Sequence, residues 1–294
     1  MIPGTQPNEN DQELEQVSCP VCGSDGRAEL WEKRGARYVV CNQCTLVYEN
    51  PRLTVGGLKR FYSQRSYYIQ EPSQNPNSGY ENYLVQCTPA LQAEYFNIAL
   101  RFSKVKSGRF LDIGCGTGGV LAVAKSHGWE AVGLEISDWA VEQARAQGHT
   151  VINATLQQAQ FPDNQLDVVS MFDVLEHLPT PVEYLKEVYR ILRPGGVLVI
   201  ETPNIGGFFA RYLYKEDSDL IKPRAHICLY TRQSARRLCS YVPFSEVRIQ
   251  TFPYCRRYSL AYFKGLIATR LLPRRVPMQL TINESLRIVC WKPA

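Results

Sequence analysis

From residue 109 to residue 201 the apolar positions fall into short solid blocks, separated by longer runs in which apolar residues recur every three or four positions. Arg109-Phe-Leu-Asp-Ile113, Ala131-Val-Gly-Leu-Glu-Ile136, Val151 to Ala154, Leu166 to Met171 and Val197 to Glu201 are the solid blocks. Blocks of four to six residues, rich in β-branched side chains, predict buried strands. Val120 to His127, Asp138 to Gln147 and the run carrying Leu185, Val188, Tyr189 and Leu192 have the helical period. The last run begins at Thr180-Pro-Val-Glu183, which reads as a capping box with proline at the first helical position, and it stops at Arg193-Pro-Gly-Gly196. Strand and helix therefore alternate, which predicts an α/β domain with a mostly parallel sheet and helices on both faces. Ligands of such sheets bind at the carboxyl ends of the strands.

The flanks are less regular. Two helical pieces are expected near 54–64 and 88–103, within an aromatic connector over 51–106 that holds Phe61, Tyr62, Tyr67, Tyr68, Tyr80, Tyr83, Tyr95 and Phe96. Packing against the next domain is the ordinary role for these rings, and walling a substrate pocket is the sharper one. The long connection 205–230 carries Phe208, Phe209, Tyr212 and Tyr214, and reads as a lid and specificity element. Glu246–Phe252 and Ser285–Trp291 read as two closing strands, with a helical excursion over 256–275 between them.

Composition narrows the class. The 294 residues are 45% apolar and 21% charged, which excludes wholesale disorder. No run approaches the roughly 18 apolar residues of a membrane span. The polar, acidic start, residues 1–16, reads as a disordered tail that is neither a signal nor a transit peptide, so a cytoplasmic chain is expected.

Ten cysteines without an export signal point to metal or reduced thiols. Cys19-Pro-Val-Cys22 and Cys41-Asn-Gln-Cys44 have the double C-x-x-C spacing of a zinc site, so 17–50 is expected to be a zinc ribbon. Four thiolates leave no open coordination position, making the zinc structural. Ala28–Trp31 and Arg37–Val40 supply a hairpin too small to bury a core unaided, and metal would supply the missing folding energy.

The first strand runs into Gly114-Cys-Gly-Thr-Gly-Gly119. Glycines there let the backbone approach a ligand, and the helix start behind them favours an anionic group. Gly114, Gly116 and Gly119 fit the dinucleotide pattern, with Glu135 at the ribose distance. Gly114, Gly116 and Gly118 equally fit a pattern that includes Asp112. A carboxylate under the loop can orient backbone or the ammonium of an amino acid, and a pyrophosphate site has no need of that charge.

Taken together, LDIGCGTGG (111–119), VGLEIS (132–137), FPDNQLDVVSMFDVLEHLPTP (161–181) and LRPGGVLVIETPN (192–204) resemble the class I S-adenosylmethionine-dependent methyltransferases over about 90–294. The zinc-ribbon head is similar to that of a bacterial group acting on sugars and small metabolites. The resemblance implies a Rossmann-like seven-stranded sheet whose last strand is antiparallel, in a methyltransferase domain over 107–294. It implies that Asp112, Gly114, Cys115, Gly116 and Gly118 surround the methionine part of the cofactor. Glu135 and Ile136 would take the ribose, and Thr155 and Leu156 the adenine edge. Phe172 and Asp173 would face the methyl-transfer site. Many relatives have Asp where this chain has Thr155.

The cofactor brings an activated methyl group, so the protein mainly positions the acceptor. A hydroxyl acceptor also needs a base, and histidine suits neutral pH. His127 and His149 lie at helix ends. His177 and His226 are the candidates, with Asp173 as the third catalytic residue. The expected reaction is methyl transfer to a small-molecule hydroxyl of a sugar or secondary metabolite. Carbon methylation of a sugar, a lipid- or quinone-like membrane acceptor, and a non-catalytic binding module are the alternatives.

Thirty-three basic against 28 acidic residues give a net charge of +5. Residues 1–50 hold four basic and eight acidic side chains, a poor clamp for a phosphate backbone, so nucleic acid is not expected as a partner. The Asn/Asp-Pro-Pro-aromatic signature of exocyclic-amine methylation is also missing after the fourth strand. The excess sits at Arg256, Arg257, Lys264, Arg270, Arg274 and Arg275, in a segment whose amphipathic spacing allows peripheral membrane contact.

Overall fold

A computed structural model describes residues 14–63, 88–207, 221–254 and 283–294. The sequence readings for the start of the tail, residues 67–83, the middle of the lid and the basic segment 256–275 lie outside the described residues.

The solid apolar blocks form β6 (Arg109–Ile113), β7 (Glu130–Glu135), β8 (Thr150–Asn153), β9 (Leu166–Phe172) and β10 (Leu192–Pro203). With β12 (Glu246–Tyr254) and β13 (Asn283–Trp291) they make one seven-stranded sheet, ordered β12-β13-β10-β9-β6-β7-β8. The five from β6 to β10 are mutually parallel; β13 runs antiparallel to both β10 and β12. The expected seven strands with an antiparallel last strand are present. The Arg193–Gly196 stop appears as an irregularity in β10 pairing between Leu192 and Val197, with Gly195 at φ +77°.

Strand side chains alternate between two cores. Phe110, Val168, Val197 and Val199 face α2 (Pro89–Phe102), α3 (Gly119–Ser126) and α4 (Asp138–Ala146). Leu111, Val169, Leu198 and Ile200 face the opposite core, which includes α6 (Pro181–Ile191) and α7 (Arg232–Cys239). Period two with both neighbours apolar is what a strand covered on both faces requires. Short α5 (Leu156–Ala159) and α1 (Val55–Ser63) complete the described helices. The 54–64 and 88–103 expectations match α1 and α2, and Thr88 caps α2 by accepting from the Leu91 N–H.

Two local expectations need correction. Thr180 makes no side-chain capping bond on α6; proline at the first position fixes the entry there without it. Capping boxes occur instead at Thr155 with Gln158 and at Thr231 with Ser234. Residues 14 and 15 are ordered, not tail, because β1 (Leu14–Glu15) pairs with β5 (Arg52–Leu53), and the Arg52 guanidinium meets Glu15 at 3.1 Å.

The N-terminal head is built from β2 (Arg27–Lys33), β3 (Ala36–Cys41) and β4 (Val47–Glu49). Its sheet takes a fourth strand, β11 (Cys228–Leu229), from the far end of the lid connection, in the order β11-β4-β3-β2. Cys19, Val39, Leu46 and Tyr48 belong to the same apolar core as Leu185 and Ile227. The head therefore does not rely on its own small hairpin; it borrows the domain's core. Glu49, fully buried, receives the Arg224 backbone N–H at 2.9 Å and its guanidinium, and the Tyr38 hydroxyl donates to the His226 carbonyl at 3.3 Å.

Candidate cofactor and acceptor site

The glycine loop leaves β6 at the middle of the sheet. Gly114, Gly116 and Gly118 all have positive φ, at +71°, +53° and +87°, a backbone that side chains disfavour. Space matters as much as angle. A methyl on Gly114 would stand 2.5 Å from Val174 Cγ2, and one on Gly118 would stand 2.5 Å from the His149 ring. The N–H groups of Gly114 and Cys115 bind the Leu134 carbonyl at 2.8 and 3.1 Å, tying the loop to β7. Gly118 is the N-cap of α3 and offers no side chain to its first N–H groups.

Two carboxylates flank this loop. Glu135 ends β7, where Oε2 accepts from Gly116 N–H at 3.0 Å and Oε1 accepts from Ile136 and Ser137 N–H at 2.8 and 2.9 Å. Asp112 lies beneath the loop, 3% exposed, and accepts from the Ser170 hydroxyl at 2.6 Å. Burial pushes its carboxyl up to about 7; the Ser170 bond opposes this and the Glu135 charge adds to it. Burial also raises the Cys115 thiol well above its ordinary value, so Cys115 is an inert wall.

At the next strand end, Thr155 caps α5 and Leu156 is fully buried. Leu156 thus offers backbone, not side chain, to anything above it. At the end of β9, Phe172 stacks on Tyr95 with centroids 4.2 Å apart and planes 12° from parallel. The Tyr95 hydroxyl donates to Asp173 Oδ2 at 2.9 Å. Asp173 is exposed and holds φ +55°, a strained backbone of the kind that gathers at functional sites. Tyr95 was foreseen only as one of several connector aromatics. Its position two helical turns into α2 carries no distinguishing signal in one sequence.

His177 and His226, offered by the sequence as alternatives, sit together. Their rings are 4.9 Å apart and cross at 73°. His177 Nδ1 lies 2.8 Å from both the Ala225 carbonyl and the Tyr62 hydroxyl, and that hydroxyl also donates to Ala225 at 2.9 Å. Burial pushes the imidazole down to about 4, against the pull of the Ala225 carbonyl. Behind the pair is Glu176, 1% exposed, which accepts from the Thr202 hydroxyl at 2.8 Å. Its carboxyl is pushed up to about 8 by burial and then by the Asp173 charge. The sequence reading missed Glu176 and named Tyr62 only among the connector aromatics.

In the head, Cys19 Sγ is 3.4 Å from Cys44 Sγ and Cys22 Sγ is 3.4 Å from Cys41 Sγ, with all four sulfurs within 4.8 Å of one another. A zinc tetrahedron with bonds of about 2.3 Å spaces its sulfurs roughly 3.8 Å apart. Tight turns position the pairs: Gly23 N–H binds the Cys19 carbonyl at 2.8 Å, and Thr45 N–H binds that of Cys41 at 3.0 Å. Gln43 N–H points to the Cys41 sulfur at 3.4 Å.

A parallel α/β sheet, a glycine loop after its central strand, an acidic residue at the next strand end and a closing antiparallel strand define the class I methyltransferase fold. The comparisons agree. Residues 90–244 match the family described as "Methyltransferase domain", and the chain belongs to that family. A sterol 24-C-methyltransferase of Yarrowia lipolytica is 35% identical over 98 residues, covering 30% of this chain and 26% of that protein. A 2-methyl-6-phytyl-1,4-hydroquinone methyltransferase of Synechocystis is 33% identical over 96 residues, covering 31% and 30%. The chain thus spans under a third of either relative. An S-adenosylmethionine-dependent methyltransferase from Archaeoglobus fulgidus superposes with a TM-score of 0.54 at 19% identity, covering 72% of this chain and all of that one; the likeness is one of fold. Among the described residues no helix is long and apolar enough to cross a membrane.

Proposed function

We propose that the protein transfers the methyl group of S-adenosylmethionine to a hydroxyl of a small-molecule acceptor, such as a sugar or secondary metabolite. The observation that carries this is the pair of carboxylates around the glycine loop, Asp112 beneath it and Glu135 bonded to Gly116 N–H. A buried acid at the position of Asp112 fits a cationic ammonium and opposes a pyrophosphate. Asp112, Gly114, Cys115, Gly116 and Gly118 would surround the methionine part. Glu135 and Ile136 would take the ribose, the Thr155–Leu156 backbone the adenine edge, and Phe172 and Asp173 the methyl end. When bound, the cofactor supplies an electrophilic methyl on a sulfonium.

The chain's own part is to place and polarise the acceptor. Of the three catalytic candidates, Asp173 alone is exposed, and Tyr95 fixes its carboxylate. It is the group placed to accept the acceptor's hydroxyl proton. The buried His177, with Nδ1 engaged and its basicity low, is a weak proton acceptor near neutral pH. We assign His177 and His226 to holding the wall behind Asp173 and anchoring residues 221–230. Cys19, Cys22, Cys41 and Cys44 would hold a structural zinc, whose role is to fix the head strands that receive β11.

Calorimetry with adenosylhomocysteine tests the cofactor half of this reading. It predicts saturable binding, lost in Gly116→Arg. Absence of binding to metal-loaded protein, or saturation by NADH that adenosylhomocysteine does not compete away, would sink it.

A further inference from the structure

Glu176 and His177 are neighbours in sequence, and His226 comes from a distant part of the chain. Glu176 and His177 lie in the single 3-10 turn after β9, and His226 lies just before β11. Yet one donor atom from each falls within 4.8 Å of the others. Glu176 Oε1 stands 4.0 Å from Nε2 of His177 and 4.0 Å from Nε2 of His226, too far for a hydrogen bond to either. That oxygen is buried and has no hydrogen-bond partner among the described residues. A buried carboxylate oxygen left unsatisfied is costly, and a bound cation is one way to satisfy such an atom.

The surroundings orient these donors inward. Thr202 occupies Glu176 Oε2, which leaves Oε1 facing the two rings. The Ala225 carbonyl and Tyr62 hydroxyl engage His177 Nδ1, so a proton there leaves Nε2, 4.0 Å from Glu176 Oε1, unprotonated; the Asp173 carbonyl also draws on this ring. A carbonyl on the far nitrogen is the usual support of a metal-bound histidine. We propose that Glu176, His177 and His226 form a second metal site, separate from the four cysteines, that takes one divalent transition cation of the zinc class. Two imidazoles and a carboxylate suit that class better than magnesium or calcium. Bonds of about 2.0–2.1 Å would space tetrahedral donors roughly 3.3 Å apart, so the three need to close by well under an ångström each. The charges of Asp173 and Lys222 both reach Glu176, with opposite sign. The site stands on its own geometry and does not depend on the methyl acceptor.

Cobalt(II) distinguishes the two sites. Full-length protein stripped of metal and reloaded with cobalt should hold two ions per chain by elemental analysis. One ion should give the thiolate-to-cobalt charge-transfer band of the cysteine site. Glu176→Gln and His226→Asn, each close in shape to the original, should lower the count from two to one. They should leave the charge-transfer band intact and remove visible absorption of the nitrogen–oxygen site. A wild-type count of one, with that ion carrying the full thiolate band, overturns the proposal even if both variants misfold. A count of two that persists in folded variants also overturns it.

Discussion

Asp112 gives the sharpest quantitative consequence. In the cofactor-free protein its carboxyl is pushed up to about 7, chiefly by burial. A ligand ammonium beside it needs the carboxylate form. At pH 6 about one molecule in eleven carries that form, and at pH 8 about ten in eleven, so affinity should rise roughly tenfold, or about 1.4 kcal/mol. Binding at pH 6 should also take up the cost as a released proton, visible when calorimetry is repeated in buffers of different ionisation enthalpy. The sign for folding is the reverse. A carboxyl raised above its unfolded value favours the protonated fold, so the cofactor-free protein should lose stability as pH climbs from about 4 to about 7. Ser170 donates to Asp112 and favours the carboxylate, so Ser170→Ala should move the midpoint of the affinity change upward. Asp112→Asn should bind weakly with little pH dependence. An equal tenfold change in Asp112→Asn, or a flat profile in the wild type, would refute the assignment of Asp112 to the ammonium.

Other residues make separate predictions. Asp173→Asn should lower kcat by about 10²-fold or more while adenosylhomocysteine affinity stays within a few-fold, a split that steady-state kinetics with calorimetry resolves. Gly114→Ala places a methyl 2.5 Å from Val174 at φ +71°, so it should cost about 1–3 kcal/mol in urea unfolding and weaken cofactor binding. Glu49→Ala strands Arg224, which is 27% exposed at its side chain, so the loss should be about 3 kcal/mol, the low end for a broken buried pair. Cys41→Ser, which removes a ligand of the head zinc alone, should speed hydrogen exchange at 225–231 along with the head while leaving β6 and β9 protected, because β11 is a strand of the head's sheet.

The parts of the fold legible in the sequence are those with local causes. β6, β7, β9 and β10 are solid apolar blocks because helices cover both faces, and α3, α4 and α6 show the matching amphipathic period. The cysteine pairs and the glycine loop were legible because spacing alone constrains them. What escaped depends on distant partners. β11 has two residues and exists because β4 pairs with it across some 180 positions, Cys228 opposite Tyr48 and Leu229 opposite Val47. α7 is capped by Thr231 with Ser234, not the glutamate or glutamine that marks a capping box, so its start went unread. The Thr180-Pro-Val-Glu183 motif had the letters of a box without its bond. In the candidate site, the loop and both carboxylates were foreseen. The stacking of Tyr95 on Phe172, its bond to Asp173, and the meeting of His177 with His226 over Glu176 are products of packing that no spacing announces.

The central claim is methyl transfer at the end of β9. Its most direct test is to incubate the metal-loaded protein with trideuteromethyl-labelled adenosylmethionine and a panel of sugar and phenolic hydroxyl compounds, and to read the products by mass spectrometry. The account predicts a product carrying the labelled methyl on oxygen, formed by the wild type, sharply reduced with Asp173→Asn and absent with Gly116→Arg. Tight cofactor binding without transfer to any acceptor, or a product formed equally well by Gly116→Arg, would contradict it.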